Sequence, residues 1–315
     1  MTRVRHGHWF WLFILLLVAV ILSLYLGPTG FSFSSLQIPL SLRLPRVILG
    51  IFAGGILALV GASLQGLLQN PLVDPYTLGV ASGAAFGASV ALIFGSGTSV
   101  LVLIFSFLSS LITIILVYSV ARIKGRITKT GLVLAGVIVS FLFSSLVMLI
   151  MVFSKKPLAQ IIYLLMGHLG IVFTPNILIL FIVSALLAIA GSIFLFSYWR
   201  QLDILSTNEE AAESLGVDTR KVTQGIFIVS SLLVSLVVSF TGAISFIGLI
   251  IPHTVRLIYG PNHSTVIPSS FLLGASVLLF ADILARTVAP VELPLSVVTA
   301  LFGVPFFIYL LKTKL

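Results

Sequence analysis

Cysteine is absent from the chain, and charge is scarce: only 8% of its 315 residues are Asp, Glu, Lys or Arg. The first absence removes disulfides, thiolate nucleophiles, iron–sulfur clusters and cysteine-ligated zinc. The second is more restrictive. An ordinary soluble domain carries about 25% charged residues to cover its surface, and seventeen Lys and Arg with eight Asp and Glu cannot do that here. No Gly-x-x-x-x-Gly-Lys-Ser/Thr sequence occurs, so the chain offers ATP no P-loop. His-Glu-x-x-His is missing too, and His6, His8, His168, His253 and His263 do not cluster with carboxylates at metal-ligand spacing. The apolar runs hold no series of acids of the kind proton-coupled carriers use. Together these absences point away from an enzyme and from a resident metal or cofactor.

What is present is apolar. Residues of the AVILMFWYC set make up 59% of the chain, and there are 24 Phe. A helix crossing about 30 Å of hydrocarbon needs roughly 20 apolar residues. Ten segments approach this: 9–26, 46–68, 76–94, 99–121, 130–153, 175–198, 222–241, 243–258, 266–288 and 294–311. The sequence therefore predicts an all-α polytopic membrane protein, with residues 1–315 forming a single transmembrane domain. The third segment is rich in Ala and Gly, as in closely packed helices. The eighth is short and holds Pro252 and His253, so it should be surrounded by protein rather than lipid. With the N-terminus inside, twelve of the seventeen cations fall on inner loops and ends and five on the outer side. Both termini are expected to be cytoplasmic. The run after Met1–His8 is longer than a typical signal core and lacks a cleavage site, so it reads as a retained first span.

Two segments depart from short connections. Pro157 to Gly170 is too short to cross and too apolar to float free, and reads as a short outer helix. Between Trp199 and Lys221 lies a polar inner stretch holding five of the eight acids. Within it, Ser206 and Glu209 have capping-box spacing, and Gly216 can supply a left-handed C-cap. Residues 206–216 should form a short projecting helix whose apolar face is Ala211, Ala212 and Leu215, suited to a pocket on another protein. The alternative is a solvated connector. Gly61-Ala62 before Asn70-Pro71, and Gly242-Ala243 before Pro252-His253, suggest a possible inverted repeat. Asp282 and Arg286 stand four apart on one helix face, the spacing of an ion pair.

These residues resemble, over nearly the full length, the FecCD family of permeases. The resemblance rests on Arg43-Leu44-Pro45-Arg46, Gly61 through Gln65 to Asn70-Pro71-Leu72, and Leu78-Gly79-Val80 to Gly83-Ala84. It continues with Glu209 to Gly216-Val217, Gly242 through His253 with Arg256, and Ala281-Asp282 to Arg286. Glu292-Leu293-Pro294 and Gly303-Val304-Pro305-Phe306-Phe307 complete the set. The resemblance implies ten helices and a second permease subunit, identical or related. It also implies two copies of an ABC ATPase that binds ATP and Mg, and an extracytoplasmic substrate-binding protein. The cargo would be an iron-siderophore, haem or related metal chelate, or else vitamin B12. No cofactor and no metal is expected in this chain, which would reside in the cytoplasmic (inner or plasma) membrane and bind no nucleic acid.

Residue by residue, the resemblance makes Glu209, Glu210, Ala211, Ala212, Glu213, Leu215 and Gly216 a coupling helix seated on the ATPase. Thr128, Lys129 and Thr130 match a cytoplasmic gate, for which a basic anchoring loop is the alternative. Arg43, Arg46 and Arg286 are expected to meet acids of the binding protein. Otherwise Arg286 serves Asp282 or Glu292, and Arg43 and Arg46 snorkel to headgroups. His168 is a possible path residue; its alternative is a hydrogen bond to a neighbouring loop. Thr207-Asn208 and His168 depart from the family's usual residues. A self-sufficient ten-helix secondary transporter and a membrane scaffold are the other classes compatible with the hydropathy.

Overall fold

The computed structural model describes residues 8–27, 30–31, 43–94, 99–123, 126–153, 165–206 and 209–314. Among these, twelve α-helices occur: α1 (His8–Tyr25), α2 (Leu44–Leu68), α3 (Val80–Phe94), α4 (Ser99–Ala121), α5 (Lys129–Phe153), α6 (Pro175–Ser197), α7 (Trp199–Leu205), α8 (Glu209–Ser214), α9 (Thr219–Thr241), α10 (Ile247–Tyr259), α11 (His263–Thr287) and α12 (Leu295–Lys314). Six of them (α2, α4, α5, α6, α9, α11) are long and apolar enough to cross a membrane, and α1, α3, α10 and α12 are shorter apolar helices. We call the end of the bundle carrying α7 and α8 basal, and the opposite end apical.

The bundle is arranged around α2. Pro45 starts it, where a missing N–H costs nothing, and 89% of its most apolar window is buried by other helices, against 22% for α6. A helix hydrophobic all round belongs inside. Its closest neighbour is α11. Gly54 and Gly274 face each other across that crossing, and a Cβ on either would run into the other's carbonyl. This backbone-to-backbone approach is available only to glycine, and such small-residue contacts stand in for the hydrophobic drive that lipid does not supply. Pro268 lies inside α11 and Pro252 inside α10, both within protein that can re-satisfy the freed carbonyls.

Two expected boundaries move. The third span begins at Val80 rather than residue 76, because Asp74 caps a 3-10 turn over Pro75–Leu78 and Gly79 ends it with φ +79°. The eighth begins at Ile247 rather than 243. Residues 242–246 are non-helical, and their polar groups find partners elsewhere: the Ile244 N–H donates to the Tyr76 hydroxyl at 2.8 Å and Ser245 N–H to Ser296 Oγ at 3.2 Å. Thus α2 and α9, the helices that carry Gly61-Ala62 and lead to Gly242-Ala243, each give way to an irregular segment and a short helix (α3, α10). The expected short outer helix falls mostly outside the described residues (157–164). Of its described end, Leu165 is helical and residues 166–170 are not.

Candidate functional site

The basal face carries the expected coupling element. Six residues, Glu209–Ser214, form α8. Gly216 closes it at φ +82°, with its N–H on the Glu213 carbonyl at 2.9 Å and the Val217 N–H on Ala212 at 3.0 Å. Thr219 Oγ1 donates to Glu213 Oε1 at 2.9 Å, fastening α8 to the start of α9. The apolar face differs from the expected one. Ala212 is fully buried against the protein's own body, whereas Leu215 is 71% exposed. Ala212 therefore seats α8, and Leu215 is the knob. A helix of so few residues takes its inner face from what it rests on, which spacing does not reveal. Glu210 is exposed, and the side chains of Glu209 and Ala211 lie outside the described ones. The Ser206 hydroxyl donates to the Asp203 carbonyl at 2.7 Å at the end of α7; the expected capping box runs through residues 207–208, outside the described residues.

Beneath α8, polar groups tie α7 to the central helices. Gln69, at the left-handed C-cap of α2, donates through Nε2 to the Leu205 carbonyl. Asp203 Oδ1 accepts the backbone N–H of His263 at 2.8 Å and lies 2.6 Å from its Nδ1. The His263 ring fills the space left by Gly66 of α2. Nearby, the Gln65 amide donates to the carbonyls of Val73, Gly248 and Leu249 at 3.1–3.3 Å. Its oxygen accepts Arg256 Nη1, and Arg256 Nη2 reaches the Ala62 carbonyl at 3.1 Å. Arg256 thus links α10 to a side-chain amide and a backbone carbonyl of α2.

The apical arginines are internal. Arg46 Nε donates to Asp282 Oδ1 at 2.8 Å, and its two Nη atoms grip Glu292 as a fork. Arg286 Nε lies 3.2 Å from Asp282 Oδ2, and its Nη2 donates to the Ser23 carbonyl at 2.7 Å and hydroxyl at 2.9 Å. Arg43 Nη1 donates to the Leu24 carbonyl at 2.9 Å, and its guanidinium lies where a side chain on Gly27 would be. Arg43 and Arg286 are buried, so neither offers its guanidinium to the outside. Partly exposed, at 14% and 27%, are Arg46 and Glu292. Asp282 is fully buried between two guanidiniums. Charge inside a bundle must be neutralised where it stands, and the i,i+4 pair within α11 cannot by itself neutralise Arg46.

Alongside lies the segment holding His168. Its N–H donates to the Thr241 carbonyl at 2.8 Å, while the N–H groups of Leu295 and Ser296 donate to Gly167 and Met166 at 2.9 and 3.1 Å. This segment therefore stitches the end of α9 to the start of α12. The His168 side chain borders a cavity of about 150 Å³, walled by Ala81, Ala84, Ala85 and Ala88 of α3 with Ser106 of α4 and Ser239 of α9. Burial pulls its imidazole below the ordinary histidine pKa, with Glu292 opposing and Arg46 acting the same way as burial. At the start of α5, Thr128 Oγ1 accepts the Gly131 N–H at 3.0 Å. Thr128 and Thr130 are exposed and Lys129 half-buried, so the expected gate residues form a helix N-terminus after the hairpin Arg122–Ile123/Arg126–Ile127.

Sequence reasoning missed Asp203 and His263 as a pair, because their partnership spans 60 positions. The one signal was Asp203's place in the acidic stretch.

The family description "FecCD transport family" matches residues 11–313. The chain is 39% identical to the cobalamin import system permease protein BtuC of Halobacterium salinarum, over 87% of this chain and 73% of that one. It is 36% identical to the molybdate import system permease protein MolB of Haemophilus influenzae, over 88% and 82%. Among solved structures, an inward-facing metal-chelate type ABC transporter superposes with a TM-score of 0.85 at 34% identity, covering 96% of this chain and 98% of that one.

Proposed function

The chain belongs to the FecCD transport family, and from that premise we propose that it is the permease subunit of a binding-protein-dependent importer driven by a separate ATPase. The observation that carries this reading is α8 with Leu215: a short helix, sealed to the body through Ala212, that holds one large apolar side chain out at 71% exposure. Leu215 stands on a polar projection, and a shallow apolar pocket on an ATPase would bury it. The reading puts the basal face, with Thr128–Thr130 at its gate, in the cytoplasm, as the twelve-to-five distribution of cations favours. Two ATPase copies and a second permease copy, identical or related, would complete the membrane assembly. ATP-driven closure of the ATPases would shift α8 and switch access to a path between the permease copies.

The cargo we assign is an iron-siderophore, haem or related metal chelate, in line with the metal-chelate transporter that superposes over almost the whole chain. A corrinoid is the second reading, favoured by the 39% identity to a cobalamin permease. On the apical side, the binding protein would approach Arg46 and Glu292, the exposed edge of the arginine cluster, with Arg43 and Arg286 holding that edge from behind.

Replacing Leu215 tests the docking. Leu215→Arg should abolish co-purification of the ATPase in detergent while leaving the permease folded. An ATPase retained in full by this variant, with hydrolysis intact, would show that α8 is not the contact.

A further inference from the structure

The first turn of a helix leaves N–H groups without intrahelical partners, and a side-chain oxygen just before the helix ordinarily takes one. At α11 that local cap is missing: Asn262 occupies the N-cap position and makes no side-chain cap bond. The cap comes from another element. Asp203 of α7 accepts the His263 N–H at 2.8 Å and contacts the ring Nδ1 at 2.6 Å through the same oxygen. A carboxylate there also complements the positive end of the α11 dipole. The ring is held in one place. It is buried against Gly66 of α2, where any Cβ would meet it, and its Nε2 has no hydrogen-bond partner. Asp203 is its only polar contact among the described residues.

We propose that Asp203 and His263 are positioning residues that join the coupling segment to α11, so that displacement of α8 by the ATPase is delivered to the α2–α11 core. The proposal rests on the permease reading above. Asp203 sits two residues before the end of α7, and α8 begins at Glu209. The Ser206 hydroxyl bonds to the Asp203 carbonyl at 2.7 Å and finishes α7 next to Asp203. Gln69 bonded to the Leu205 carbonyl ties the same segment to α2. Any movement of α8 thus reaches α11 through a charged helix cap and α2 through an amide. The cap is the stronger of the two, because it combines an ionised acceptor with a helix N-terminus.

The chain has no cysteine, so a single nitroxide pair can be placed at Ser99→Cys and Val291→Cys. These positions are exposed, on the apical start of α4 and just beyond α11. The distance between labels is measured by pulsed electron resonance in the liposome-reconstituted permease–ATPase complex, without nucleotide and after trapping with ATP and vanadate. In the parent the distance changes between the two states. In Asp203→Ala and in His263→Ala the change falls to about half or less, since the ligand-driven shift no longer biases α11, while the ATPase still co-purifies and hydrolyses ATP. Asp203→Asn keeps an oxygen for the His263 N–H and restores most of the change. An undiminished change in Asp203→Ala overturns the proposal alone. Absence of the ATPase from the parent preparation overturns the permease reading and the proposal with it.

Discussion

The two ends of the α2–α11 pair handle polarity in opposite ways. At the apical end, three guanidiniums and two carboxylates gather in mostly buried positions: Arg43, Arg46, Arg286, Asp282 and Glu292. At the basal end of this pair, Asp203 caps α11 beside the buried His263, Gln69 ties α2 to α7, and Arg256 bonds to Gln65 and a carbonyl. Arg46, Arg286, Asp282 and Glu292 are linked to one another, with Arg43 beside them on the Leu24 carbonyl, so each of the four depends on its neighbours in the chain of pairs. The basal contacts each join a different element and can be loosened one at a time. A closed charge cluster suits a fixed platform, and open, pairwise joints suit a part that transmits movement.

Breaking the apical cluster should cost most. Asp282→Ala leaves Arg46 and Arg286 without their shared, fully buried carboxylate, and removing one partner of a buried pair costs about 3–5 kcal/mol. Thermal unfolding in detergent should show a large fall. A change no greater than that of a surface substitution would mean that water or lipid headgroups reach the cluster. Asp203→Ala, by contrast, removes a helix cap worth about 0.5–2 kcal/mol, so its melting point should drop far less than that of Asp282→Ala. Equal losses would erase the distinction between closed cluster and open joint. Glu292→Gln should have the smallest effect, about 1 kcal/mol or less, because the pair is partly solvated. It sharpens the comparison by separating the exposed rim from the buried centre. Neutralising the one partly exposed arginine of the cluster, Arg46→Gln, should weaken binding-protein docking most at low ionic strength, as screening of exposed charge requires. Equal binding by this variant at low and physiological salt would place the contact elsewhere.

The helices themselves were largely legible. Each of the ten apolar segments overlaps a helix, six of them long and apolar enough to cross a membrane and four shorter, because length and apolarity are local properties. Asp282 and Arg286 were readable as a pair for the same reason. Arg46 with Glu292 is different: 246 positions separate them, and no periodicity within one helix announces a fork closed from another. The same limit explains Ala212. Its neighbours in sequence allowed either face of α8 to point inward, and the choice was made by the body beneath it. Boundaries at residues 76 and 243 were misread because the irregular backbone there is satisfied by Tyr76, Asp74 and Ser296, partners that hydropathy does not register.

The contact between Gly54 and Gly274 has a mechanical consequence. Side chains at a helix crossing act as a compliant layer, since they change rotamer and let one helix slide on the other. Where two backbones touch directly, as here, that layer is missing and only bending of the helices themselves can absorb a push. Helices α2 and α11 then travel as one shaft. A displacement applied at Gly66 and His263 would reappear at Arg46 and Asp282 with its amplitude preserved. Replacing Gly54 by a larger residue would change the gearing between the two faces of the membrane as well as the packing.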